Sequence, residues 1–208
     1  KFFSIVFLLF FIQSSFAESD PAELSAERIR KGIIPYLRIV EKDEAHLVKE
    51  KDKIDLSRIL FFDKRLSGDS TNSCNSCHDL KNYGTNGEHY KKLIEKGEIF
   101  RDVPSIYNLG DFTIFNWDGS HKTLETKTAA ALENTYEMNM ADSEELVARL
   151  QKSEKYIELF KKAFPDKKDA VSKENVVIAL SEFQKGLVTI APIDLFLKGD
   201  NKALTENN

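Results

Sequence analysis

Residues 70–84 read STNSCNSCHDLKNYG and contain both cysteines of this 208-residue chain, with a histidine directly after the second. Cys74-Asn75-Ser76-Cys77-His78 is C-x-x-C-H, the spacing at which a c-type haem is attached covalently. On the first turn of a helix, the two thiols reach the two vinyl groups of one porphyrin edge. The imidazole of His78 turns beneath the iron, so the cofactor is fixed at three points. Three other readings use the same residues. A thioredoxin-like redox pair belongs in a βαβ setting, which the sequence does not offer. A disulfide closing so short a loop stabilises little. A zinc site needs a fourth ligand, and there is no second C-x-x-C. One covalent haem c held by Cys74, Cys77 and His78 is the favoured reading, and a disulfide is its main competitor.

The elements that must position this motif are helical. In DSEELVARLQKSEKYIELFKKAF, Asp142 is an N-cap with Glu145 three residues on. Leu146, Leu150, Ile157, Phe160 and Phe164 share a face before Pro165 ends the run. SKENVVIALSEFQKGLVTI repeats the design, with Ser172 as N-cap and Val176, Val177, Leu180, Phe183 and Leu187 apolar. Shorter helices fit PAELSAERIRKG, with Pro21 in the first turn, and LSRILFFD. Residues 63–122 are rich in Gly, Asn, Asp and Ser and show neither helical nor strand periodicity. So long an irregular stretch inside a domain is expected to wrap something, here the haem. The expected fold class is therefore all-α, a cytochrome c-like haem domain with long irregular haem-wrapping loops.

Composition narrows the partners and the compartment. Apolar residues make up 41% and charged residues 31%, the balance of one globular domain. The net charge is −4, spread as alternating Lys and Glu without a basic face, which excludes nucleic acid as the expected partner. KFFSIVFLLFFIQSSFA carries a basic first residue, an apolar run and small residues before a cleavage point after Ala17. It reads as an export signal over residues 1–17, the alternative being an uncleaved anchor, and places the mature chain in the periplasm. No later stretch reaches the roughly 18 apolar residues that a membrane span needs. A first residue of Lys rather than Met points to a fragment at its start.

LSRILFFDKRLSGDSTNSCNSCHDL (residues 56–80) resembles the start of the peroxidatic domain of the bacterial di-haem cytochrome c peroxidase family, including its quinone-cofactor maturation relatives. The likeness continues through RDVPSIYN (101–108), FNWDGSHKTLE (115–125), YEM (136–138) and IDLFLKGDNKALT (193–205), in the family's order. It implies a layout of signal peptide (1–17), N-terminal helical extension (18–54), peroxidase-type haem domain (55–195) and the start of a linker (196–208). That linker would lead to a second haem domain, which the chain, ending at Asn208, does not reach.

The resemblance also implies roles. His78 is the proximal iron ligand, and its basicity helps the iron push electrons into bound peroxide. Glu137 falls where the family places a distal carboxylate, able to take the proton from the near oxygen of peroxide and return it to the leaving one. Without the likeness, Glu137 is a surface carboxylate at a helix end. Arg101 is a candidate for holding a haem propionate or its own loop, the alternative being a surface ion pair. Trp117, the single tryptophan, lies at the family's electron route between haems or else packs in the core. Asp102 stands where an Asn helps to bind calcium, so calcium is a candidate second cofactor. Other positions depart from the family: Lys127 replaces a Gln and Ser120 an Arg. The family's displaceable distal histidine position falls on Ile94. His89, His121, Met138 and Met140 are alternative sixth ligands, with an open or weakly ligated iron expected, and His46 has no expected role.

The resulting expectation is an oxidoreductase like cytochrome c peroxidase, reducing hydrogen peroxide with electrons from a small cytochrome or cupredoxin. Two alternatives stand beside it: a related haem oxidase acting on another protein or an organic molecule, and a non-enzymatic single-haem electron carrier.

Overall fold

The computed structural model describes residues 21–37, 39–87 and 101–204. The expected leader over 1–17, along with His89 and Ile94, lies outside the described residues. All regular structure among the described residues is helical, apart from two isolated bridges, Asp79 with Thr85 and Phe115 with His121. No described helix is long and apolar enough to cross a membrane.

The contacts divide the chain into two units, residues 40–190 and a second unit of residues up to 39 together with 191–208. In the second, smaller unit, α1 (Pro21–Ile33) and α9 (Pro192–Leu197) both begin on a proline, whose fixed φ and missing N–H suit a first turn. The Arg30 guanidinium lies over the Phe196 ring, 5.3 Å from its centroid. The boundaries expected at 54/55 and 195/196 fall inside α3 (Lys51–Leu60) and α9.

The larger unit is built on α3 and α8 (Lys173–Lys185), which pack along each other. Leu56 and Leu60 of α3 and Val176, Ala179 and Leu180 of α8 are buried at their shared face. The Phe61 and Phe183 rings meet at 5.3 Å. Ser172 caps α8 by accepting the Asn175 N–H at 3.2 Å, as its sequence position predicts. α2 (Glu44–Lys49) precedes α3, and α5 (Leu124–Glu133) lies against α8.

The single helix expected over 142–164 is two, α6 (Ser143–Gln151) and α7 (Glu154–Ala163). Leu146 and Leu150 are buried on α6, then Tyr156, Phe160 and Ala163 on α7. A continuous helix from Leu150 would carry its apolar stripe onto Ile157 and leave Tyr156 to one side. The break at Lys152-Ser153 resets the phase and lets both stripes reach the core. Asp142 caps α6 by accepting the Glu144 and Glu145 N–H groups at 2.9 and 3.0 Å. Glu145 does not close a reciprocal box; its carboxylate pairs with Arg149 one turn on.

The motif FFDKRLS acquires its meaning here. Asp63 caps a 3-10 turn over Lys64–Leu66, accepting the Arg65 N–H at 2.9 Å, and its carboxylate takes the Arg65 guanidinium. The Tyr156 hydroxyl of α7 donates to the same carboxylate, while Arg65 lies over the Tyr156 ring at 4.9 Å. Burial works to raise the Asp63 carboxyl, but the hydrogen bonds from Arg65 and Tyr156 outweigh it and hold it below the ordinary value. Burial and the adjacent Asp63 push the Tyr156 phenol upward. A depressed native pKa means that the unfolded chain takes up the proton first. The stabilisation is therefore present above the ordinary value of 3.8 and is lost as pH falls below it, through the native pKa. Urea unfolding as a function of pH is expected to show this loss in the native chain. It should be flattened in Asp63→Asn, which at neutral pH should lose about 1–3 kcal/mol.

Candidate functional site

The haem-attachment motif is held by backbone before it is held by anything else. Asn75 N–H donates to the Phe61 carbonyl at the end of α3 (3.2 Å), and Ser73 N–H donates to Ser76 Oγ (3.0 Å). These bonds start α4 (Cys74–Cys77), a single turn that places Cys74, Cys77 and His78 beside one cavity of about 230 Å³. A turn follows in which Tyr83 and Gly84 adopt φ of 56° and 70°. Gly84 is required there, since a Cβ would crowd Ile106 and Tyr107 in a conformation that side chains already disfavour. Its carbonyl lies 3.1 Å from His78 Nδ1. A carbonyl only accepts, so Nδ1 carries the proton and the lone pair sits on Nε2, the atom available to a metal.

The loop before the motif is stitched to the loop that carries Glu137. Gly68 N–H donates to the Met138 carbonyl at 2.8 Å, and a Cβ on Gly68 would overlap the Asn139 carbonyl oxygen. Arg149 of α6 clasps the same loop. Its guanidinium donates to the Ser67 and Gly68 carbonyls, both at 2.7 Å, and to Ser70 Oγ at 3.0 Å. Glu137 follows α5, and its Oε1 accepts from Asn134 Nδ2 at 2.8 Å.

Most of the residues singled out for the haem site that fall within the described residues line this cavity. Cys74, Cys77, His78, Glu137, Arg101, Asp102 and Trp117 are all there, with Met138 and Lys127. Arg101 Nη1 lies 3.1 Å from Asp118 Oδ2, and Trp117 Nε1 donates to the Asp102 carbonyl at 2.9 Å. These two contacts tie segment 101–104 to segment 116–118. Hydrogen bonds from Ser120 and Arg101 hold the Asp118 carboxyl at about 2. Trp117 is 66% exposed, so core packing is not its role. Of the other iron-ligand candidates, Met138 lines the cavity, whereas Met140 is in the hydrophobic core and His121 pairs its backbone with Phe115. His46 lies with Nε2 3.0 Å from Glu182 Oε2 of α8. Among the described residues, no group of three or more His, Cys, Asp or Glu side chains is arranged to hold a metal ion.

The electrostatics bear on the readings of Cys74 and Cys77. Burial pushes the Cys74 thiol up to about 11, with Lys127 pulling the other way, and burial together with the Glu137 charge raises Cys77. A redox pair works through a depressed thiol pKa, the opposite of what is found. Both cysteines are free thiols. Burial, then the charge of Lys127, lowers His78 to about 4, while the Gly84 and Pro104 carbonyls oppose the shift. The imidazole is therefore neutral at neutral pH, as an iron ligand must be. Two uncharged thiols one helical turn apart, a neutral imidazole, and apolar neighbours such as Phe61, Leu132 and Leu180 fit a covalently attached haem.

A helical domain whose C-x-x-C-H turn opens into such a cavity is of the c-type haem class. The sequence matches the family model for di-haem cytochrome c peroxidase over residues 51–202, and the chain belongs to that family. It is 35% identical over 157 residues to the methylamine utilization protein MauG of Methylophilus methylotrophus, covering 75% of this chain and 46% of that one. It is 36% identical over 161 residues to the cytochrome c551 peroxidase of Pseudomonas aeruginosa, covering 72% and 43%. A solved crystal structure of a MauG-like protein associated with microbial copper homeostasis superposes with a TM-score of 0.68 at 32% identity, covering 76% of this chain and 48% of that one. The chain thus spans about half the length of these relatives.

Sequence reading missed three parts of the site. Helix α5, which carries Lys127 and leads to Glu137, has only a weak apolar stripe; its one local signal is Thr123, whose Oγ1 accepts the Thr126 N–H at 3.1 Å. Arg149 and Gly68 carry no signal at all, because their partners lie about 80 and 70 residues away in sequence. Gly68→Ala is expected to cost about 1–3 kcal/mol by forcing the 68 and 139 backbones apart. Gly32→Ala, where a new Cβ would meet nothing within 4 Å, is the control and should be neutral or mildly stabilising in the same urea titration.

Proposed function

We propose that this chain is the peroxidatic part of an exported c-type haem oxidoreductase, reducing hydrogen peroxide to water with electrons from a small redox protein. The observation that carries this reading is the convergence of Cys74, Cys77, His78 and Glu137 on one cavity. A bound haem would supply the iron that takes peroxide and passes it electrons, two per molecule reduced. Cys74 and Cys77 would hold the group by thioether bonds, and His78, its orientation fixed by the Gly84 carbonyl, would ligate the iron. Glu137, oriented by Asn134, moves a proton from the near to the far peroxide oxygen, which lets the far oxygen leave as water. The 101–104 and 116–118 segments close part of the rim. A calcium ion at Asp102 would need ligands from beyond its own side chain.

A second reading, an oxidase acting on another protein or an organic molecule, is favoured by Trp117. This oxidisable ring lines the cavity and is also largely exposed, which offers a path for electrons between the haem and a bound partner. The leader expected over residues 1–17 supports a periplasmic location for either activity. The optical spectrum of the haem-loaded ferric protein, taken before and after one equivalent of hydrogen peroxide, tests the reading. A high-spin spectrum that converts rapidly is expected; a low-spin spectrum inert to peroxide would favour an electron carrier. Glu137→Gln is expected to slow the conversion by about 100-fold or more while haem content is unchanged. Cys74→Ser with Cys77→Ser should abolish covalent haem staining.

A further inference from the structure

The cavity holds one charge that the reading above does not use. Among the described residues two side-chain cations line it, and they are placed very differently. Arg101 is paired with Asp118 and is itself exposed. Lys127 extends from the second turn of α5, is mostly enclosed, and makes no side-chain hydrogen bond or ion pair with any described residue. The charged and titratable groups that act on it are those of the site: Glu137, Cys74 and, in return, His78. Glu137 acts on it through space, without an ion pair, while its Oε1 accepts from Asn134 Nδ2. The Thr128 hydroxyl beside it is already engaged, its Oγ1 accepting from Gln184 Nε2 at 3.1 Å. Apolar neighbours such as Phe61, Ala131 and Leu132 complete the surroundings. A cation kept off its protein partners in a low-dielectric cavity attracts whatever anion enters, and a bound anion repays part of the cost of enclosing it.

Resting on the haem reading, we infer that Lys127 makes this cavity an anion-selecting site, its ammonium stabilising anionic over neutral ligands at the iron. The chemical class is small monovalent anions, among them the deprotonated form of peroxide itself. Glu137 and Lys127 then divide the work: the carboxylate accepts the proton, and the ammonium holds the anion that proton loss creates. A neutral amide or an apolar side chain at position 127 would remove the preference.

The test is ligand affinity rather than turnover. Azide and fluoride are titrated into the ferric haem-loaded protein, and carbon monoxide, which binds uncharged, into the reduced protein. Native chain is compared with Lys127→Gln and Lys127→Met. The inference expects both variants to bind azide and fluoride about ten-fold or more weakly and carbon monoxide within about two-fold of native. Equal anion affinities in all three proteins would overturn it. So would a low-spin native spectrum that becomes high-spin in Lys127→Gln, since Lys127 would then be an iron ligand. A matured chain with no haem absorption would overturn the haem reading and this inference with it, whereas a haem-loaded chain indifferent to Lys127 would overturn the inference alone.

Discussion

The C-x-x-C-H turn is one helical turn long and cannot hold itself in place. An isolated turn fixes several backbone torsions for a single hydrogen bond, so its position must come from outside. Here it comes from the lead-in loop over residues 63–73, which has almost no regular structure and is fixed by side chains instead. Asp63, Arg65 and Tyr156 fasten its start to α7. Arg149 of α6 takes up carbonyls that no helix or sheet satisfies. Phe61 ends α3 against Phe183 and offers its carbonyl to Asn75. The large α3 and α8 interface therefore sets where the haem-bearing turn can be, and the charged clasp sets how it is aimed.

The same loop couples the two halves of the chemistry. Through Gly68 and the Met138 carbonyl, the segment leading to Cys74 shares a hydrogen bond with the segment that presents Glu137. A displacement of one is a displacement of the other. A proton-transferring carboxylate must sit within a few tenths of an ångström of its working place, and a direct backbone tie is a stiffer means of securing this than side-chain packing. The cavity is also asymmetric in charge. The thiols and the imidazole are kept neutral by burial, whereas Glu137 and Lys127 bring a carboxyl and an amine to the same cavity, burial lowering the Lys127 amine.

The attachment motif, the helical class and the family likeness were legible in the sequence because each is local or linear. Cysteine spacing, an Asp or Ser before an apolar stripe, and an ordered series of short matches survive without coordinates. Asp142 and Ser172 cap the helices that their positions announce. Apolar period failed at residues 142–164, where the stripe spans the break at Lys152-Ser153 and a three-dimensional core, not the period, chose the phase. It failed again at α5, whose Ala- and Thr-rich face is too weakly amphipathic to stand out.

The sequence by itself determined which atoms can bond a haem, since two thiols and an imidazole at that spacing form a chemical unit regardless of the rest of the chain. Only the tertiary structure decided what surrounds them. It brought Glu137 and Lys127 to the cavity, left Trp117 at the surface, and gave Arg149 the loop carbonyls as its partners. The physical reason is that burial and long-range pairing are properties of packed elements: a residue's charge, exposure and partner are set by what α3, α5, α6 and α8 place against it, and none of that is written in its neighbours along the chain.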